Sequence, residues 1–197
     1  SPPTQRGVAL IVDAGANADC KALNLLQFAV MGSIYSHIAY GVPSPLVGLL
    51  SIGEAEGKGN LLIKEVTKHI KKLGVNYYGN IEGRDVHTGM IDVVVCDGFV
   101  GNIVLKLSEG LAKSLFEMIK KQLKKRPLAM LGALIAKPAF KAVKTDTDPD
   151  TYGGAPLLGV NGPVIICHGK CKRTVIKLCF FPLIGMRHKG IAIGKFS

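Results

Sequence analysis

Two glycine-rich stretches hold the residues best suited to chemistry. In IGEAEGKGN, Ile52 to Asn60, the glycines Gly53, Gly57 and Gly59 surround Lys58 behind an apolar run. In CDGFVGN, Cys96 to Asn102, Gly98 and Gly101 lie between Asp97 and Asn102, where a helical pattern begins. Glycine lets backbone N–H groups approach a ligand, a helix start offers unpaired amides at its positive end, and one ammonium adds a full charge. Such a combination suits a small anion, and it asks for nothing larger than phosphate. A plain turn with a solvated Lys58, and an Asn102 that merely caps its helix, account for the same residues. A nucleotide P-loop fits less well: Gly53 and Gly57 enclose three residues rather than four, and Gly59 rather than Ser or Thr follows Lys58. DAGANADC, Asp13 to Cys20, offers a third turn of the same kind.

Other chemistries find less support. His168, in IICHG after an apolar run, could move a proton, but a single histidine at a strand end is more often structural. The stretch CHGKC invites a metal reading, yet Lys170, Lys172 and Arg173 would repel a cation and no second ligand pair follows, so no metal is expected. No Gly-x-Ser-x-Gly elbow and no Cys-His-Asn order supports a covalent nucleophile. A nicotinamide-dependent oxidoreductase would need Gly-x-Gly-x-x-Gly after a strand and an acid beyond it, and that fingerprint is not visible.

The elements that must position these loops follow from periodicity. VALIV (Val8 to Val12), LVGLLSI (Leu46 to Ile52), NYYGNI (Asn76 to Ile81) and IDVVVC (Ile91 to Cys96) read as strands, the last β-branched enough to be central. Ala22 to Tyr40 reads as a helix ended by Gly41. Leu62, Val66, Ile70 and Leu73 keep helical spacing up to Gly74, and a long helix runs from Asn102 to about Lys125 before Pro127. Alternation of this kind predicts an α/β fold, a mostly parallel sheet with helices on both faces. Ligands then bind beyond the carboxyl ends of the strands, where the loops Asp13–Asp19, Gly53–Asn60 and Asp97–Asn102 fall.

Composition narrows the partners. With 197 residues and 48% hydrophobic content the chain can bury one real core. The five cysteines, Cys20, Cys96, Cys167, Cys171 and Cys179, are odd in number and lack the spacing of a disulfide framework, which favours a reducing compartment. No signal segment is visible, and LAMLGALIA, Leu128 to Ala136, is too short to cross a bilayer. The net charge of +11 gathers in Lys68–Lys72, Lys120–Arg126 and Gly169–Arg173 and points to an acidic partner. Nucleic acid ranks last among acidic proteins, phosphate ligands and anionic lipid, because few aromatics lie near the basic runs and no nucleic-acid motif is recognisable.

Five stretches together resemble one family. VDAGANADCK, VGLLSIGEAEGKGN, GNIEGRD, VVVCDGFVGNIVLKLSEG and YGGAPLLGVNGPVIICHG occur in the order found in the phosphate acyltransferases of bacterial phospholipid synthesis, the PlsX family. The resemblance implies a fold akin to the isocitrate and isopropylmalate dehydrogenases, used as a homodimer without cofactor. It implies attack of inorganic phosphate on the thioester of an acyl-acyl-carrier protein, giving acyl phosphate and free carrier protein. By motif, Lys58 and Asn102 are the residues tied to activity. Gly57, Gly59, Asn60, Asp97, Gly98 and Gly101 would surround the phosphate, with Arg84 and Asp97 orienting the groups around it. The acidic carrier protein would be steered by the basic surface, with Lys120–Arg126 as its landing site. Residues 127–144 resemble the family's protruding helical tip, which touches the membrane; a dimer or core helix is the competing reading. The implied location is cytoplasmic, on the inner face of the membrane where that tip makes contact. The match starts in the second half of the family pattern and fades after Gly169, dividing the chain into a partial acyltransferase domain, 1–169, and a divergent tail, 170–197. Ala22 and Leu61 stand where the family pattern has Pro and Glu. An inactive remnant that binds acidic protein or lipid, and a dehydrogenase-like enzyme, are the alternatives.

Overall fold

Four short apolar runs pair side by side in the computed structural model, which describes residues 2–4, 7–146, 155–162 and 164–166. After a small antiparallel pair, β1 (Pro3–Thr4) with β2 (Gly7–Val8), the chain enters β3 (Leu10–Val12), α1 (Ala22–Tyr40) and β4 (Val47–Leu50). It continues through α2 (Leu61–Ile70), β5 (Tyr77–Ile81), β6 (Val93–Val95) and the long α3 (Gly98–Lys124). Two further helices, α4 (Pro127–Ile135) and α5 (Lys137–Asp146), precede a second antiparallel pair, β7 (Ala155–Pro156) and β8 (Ile165–Ile166).

The main sheet has the order β3-β6-β4-β5, and every pairing in it is parallel. Register pairs Val12 with Val95, Leu49 with Val95 and Leu50 with Ile81, so the strands end level and their following loops share one edge. Alternation decides which face each residue serves. Leu10, Val12, Val47, Leu49, Val93 and Val95 pack against Leu25, Phe28 and Ala29 of α1 and Ile63, Val66 and Ile70 of α2. Ile11, Leu50, Ile81 and Val94 face the other way, where Val104 and Leu105 of α3 join them. Both faces are therefore covered, as the near-continuous apolar strands require.

Helix ends follow local chemistry. Gly41 and Gly74 take φ of 70° and 71°, the left-handed conformation that closes α1 and the 3₁₀ turn after α2. The start of α3 corrects the sequence reading. The helix begins at Gly98, four residues before Asn102, because Asp97 accepts the Val100 N–H at 2.8 Å and is the true cap. Asn102 lies a full turn inside. Gly98 and Gly101 have ordinary helical angles rather than unusual ones; close packing, described below, is what demands glycine there. Pro127 serves as the first residue of α4, where its missing N–H is harmless.

Beyond its first turns α3 leaves the sheet. Ile103, Leu107, Leu111, Leu115 and Met118 recur at intervals of three or four residues and are 43–70% exposed along with Ile119. Among the described residues no helix is long and apolar enough to cross a membrane.

Candidate functional site

Parallel βα units place the amino ends of α1, α2 and α3 at the same edge as the loops. Their positive ends therefore lie at the same edge as the loops that carry Lys58 and Asn102.

The turn after β3 is built on Asp13. Its carboxylate is 8% exposed and accepts the N–H groups of Gly15 at 3.0 Å, Ala16 at 2.9 Å and Asn17 at 2.6 Å. A buried charge satisfied by three amides holds the turn in one shape. The Asn17 carbonyl accepts the Gly98 N–H at 2.8 Å, so the turn also satisfies one open donor of α3. Contact is close enough to dictate residue type. A Cβ on Gly101 would stand 1.9 Å from the Asp13 carbonyl oxygen, and one on Gly98 would stand 2.7 Å from the Asn17 carbonyl oxygen. The exposed Asn102 side chain lies along Gly15, whose φ of 134° suits glycine.

Two thiols flank this turn. Burial pushes the Cys96 thiol far above its ordinary range, with the Asp97 carboxylate adding to the effect. Burial also raises Cys20, against the pull of the Gly98 N–H and with the carboxylates of Asp13, Asp97 and Asp19 reinforcing it. Neither thiol has the electropositive surroundings that favour a thiolate.

The loop after β4 folds back on itself. Lys58 is exposed, its N–H bonds the Ala55 carbonyl at 2.8 Å, and its stem crosses Gly53, where a Cβ would come within 3.1 Å of Lys58 Cγ. Gly59 has φ of 104° and sits so close to Ile63 and Ser51 Oγ that a Cβ would approach each within 2.8 Å. Gly57 is open on all sides. Asn60 caps α2, its Oδ1 accepting the Ile63 N–H at 2.9 Å.

Arg84 lies beyond β5, and its guanidinium faces carboxylates: Glu82 at 3.2 Å, Glu54 at 3.6 Å and Asp85 at 3.9 Å. It thereby ties the Lys58 loop to the neighbouring strand end. The structure thus joins Asn102, Gly98, Gly101 and Asp97 to the Asp13 turn, and Lys58 and Gly59 to the β4 loop with Arg84 at its border. These loops leave adjacent strands, β6 and β4. Among the described residues no cluster of three or more His, Cys, Asp or Glu could hold a metal ion. Cys167, His168 and Cys171 lie outside the described residues.

Two contributors escaped the sequence reading. Asp13 was only one member of a turn, although an Asx residue followed by glycine is a legible signal for such a turn. Asn80 is the other: buried inside a strand, its amide donates to the Ala55 carbonyl at 3.2 Å.

The family described as fatty acid synthesis protein matches residues 1–191. The chain belongs to that family. Among relatives in the fatty acid synthesis protein family, it is 60% identical over 174 residues to the phosphate acyltransferase of Elusimicrobium minutum, covering 88% of this chain and 51% of that protein. It is 50% identical over 175 residues to the phosphate acyltransferase of Geotalea uraniireducens, covering 89% of this chain and 51% of the relative. With the Campylobacter hominis phosphate acyltransferase the identity is 49% over 190 residues, 96% of this chain and 57% of the relative. The chain spans about half the length of these family members.

Proposed function

We propose that this chain supplies the phosphate-handling edge of an acyltransferase that converts acyl-acyl-carrier protein and inorganic phosphate into acyl phosphate and free carrier protein. One observation carries the reading: Lys58, Asn102 and the amino ends of α2 and α3 share one edge of the parallel sheet in a chain whose relatives are named phosphate acyltransferase.

In this mechanism Lys58 and the helix ends neutralise phosphate and hold it. A phosphate oxygen attacks the thioester carbonyl carbon, and the carbonyl oxygen takes up negative charge in the tetrahedral intermediate. The Asn102 amide donates a hydrogen bond to that oxyanion or to the incoming phosphate. The C–S bond then breaks, and the carrier's sulfur leaves with the bonding pair and is protonated to the free thiol. Asn60 and Asp97 fix the two helix starts, Gly59, Gly98 and Gly101 let the loops and helix starts pack closely enough to hold that shape, and Gly57 leaves open space beside Lys58. Arg84 acts through its link to Glu54.

The remaining parts of the reading are coupled to this one. The sheet is the core of an isocitrate dehydrogenase-like fold within residues 1–169; residues 170–197 lie outside the described residues. Lys120–Arg126 receives the acidic carrier protein, α3 pairs with a second copy, and 127–144 rests on a membrane surface from the cytoplasmic side. Leu128 and Ile135, 84% and 85% exposed, supply apolar area for that last contact.

The deciding experiment follows free thiol released from acyl-acyl-carrier protein as phosphate is varied. Release that saturates with phosphate is expected from the protein carrying this sequence. Carrier binding without phosphate-dependent release would favour a non-catalytic binding protein.

A further inference from the structure

Asn80 lies in β5 and is 2% exposed, so both ends of its amide need partners inside the protein. Its Nδ2 donates to the Ala55 carbonyl at 3.2 Å, and its Oδ1 accepts the Tyr77 hydroxyl at 3.3 Å. A carbonyl oxygen only accepts, so the amide cannot be flipped without losing the Ala55 bond. The same Ala55 oxygen accepts the backbone N–H of Lys58 at 2.8 Å. One oxygen atom thus connects a buried strand residue to the residue that carries the ammonium. Two further side-chain tethers of the loop, Arg84 to Glu54 and Lys71 to Glu56, join solvated side chains and hold it less firmly than a buried bond does.

We propose that Asn80 is a positioning residue for Lys58: it anchors the Ala55 carbonyl, and through it the turn that sets where the Lys58 ammonium meets the anion. The proposal rests on the reading of Lys58 as the phosphate-holding group. Tyr77 orients the amide through the longer and weaker of the two contacts.

The test uses the full protein carrying this sequence, with Asn80→Leu as a similar-sized apolar replacement. Misplacement of a binding group by a fraction of its reach should raise KM for phosphate about tenfold while kcat changes less than about threefold. In a Lys58→Ala background the same substitution should leave the phosphate KM where Lys58→Ala alone puts it, because the positioned group is gone. Independent effects that multiply would overturn the proposal. Amide hydrogen exchange supplies a readout that needs no reaction: Lys58 N–H should exchange about fivefold faster in Asn80→Leu, while Val95 in the central strand keeps its protection. Unchanged exchange at Lys58 overturns the positioning role alone. A phosphate KM indifferent to Lys58→Ala overturns the reading of Lys58, and this proposal with it. Should Asn80→Leu fail to fold, Tyr77→Phe removes one oxygen atom only; it should raise Lys58 exchange about twofold, and no change would sink the proposal.

Discussion

At the scale of single residues, Lys58 and Asn102 have separable tasks in the proposed reaction. Lys58 contacts an anion in the ground state and in the transition state alike, so Lys58→Ala should weaken phosphate use by about 1.5–3 kcal/mol, the worth of a charge-assisted contact. An oxyanion donor is used mainly after attack. Asn102→Ala should therefore lower kcat by about 10²–10³ with a smaller effect on phosphate KM. Steady-state kinetics with varied phosphate separates the two, and unchanged constants in both variants would reduce the glycine loops to turns. Lys58 and Asn102 could be picked out in the sequence because their types stand out among glycines. Asp13 and Asn80 could not be ranked in the same way. Their importance lies in which backbone atoms they reach, three amides for Asp13 and one distant carbonyl for Asn80, and sequence spacing does not encode a contact across 25 residues.

At the scale of elements, the periodicity of two and of 3.6 placed β4, β5, β6 and α1 within a residue or two, since each buries an apolar face against the sheet. It ran α2 on to Leu73, through the 3₁₀ turn Lys71–Leu73 that follows Ile70. Where it failed is informative. The sequence pattern starts α3 at Asn102 because Gly98 and Gly101 resemble loop residues, whereas the structure puts both inside the helix, pressed against the Asp13 turn. Glycine in a helix costs about 1 kcal/mol relative to alanine, so Gly101→Ala would stabilise an isolated helix by that amount. Here the added Cβ would meet the Asp13 carbonyl oxygen at 1.9 Å, and backbone cannot rotate away as a side chain can. Overpacking of about 1–3 kcal/mol or more outweighs the gain in propensity. Urea unfolding should show Gly101→Ala destabilised. Gly110→Ala, where a Cβ meets nothing, is the control and should be neutral or stabilised. A stabilised Gly101→Ala would mean that α3 and the Asp13 turn are not packed as described.

At the scale of the whole molecule, the exposed stripe on α3 sets a question of assembly. From Ile103 to Met118 it runs for about 22 Å at 1.5 Å per residue, with Leu107 70% and Leu111 58% exposed. Monomers rarely leave so long an apolar strip in water. On the proposed homodimer the two copies of α3 meet across a two-fold axis, so each substitution is felt twice. Removing one leucine from such an interface costs about 1.5–3 kcal/mol per copy, hence about 3–6 kcal/mol per dimer. Leu111→Lys, which puts a charge in the middle of the stripe on both copies, should therefore raise the dissociation constant by at least about 10²-fold. Sedimentation velocity across a concentration series reads this directly, and circular dichroism checks that helix content is kept. The basic run Lys120–Arg126 begins more than two turns beyond Leu111 and continues past the end of α3, so carrier-protein binding measured on the dissociated variant should keep its affinity and its salt sensitivity. A stripe covered within one protomer would give a different result: Leu111→Lys would lower the melting temperature and leave the sedimenting mass unchanged. That outcome would remove the homodimer from the proposal while leaving the phosphate-handling edge, which is built from other residues, untouched.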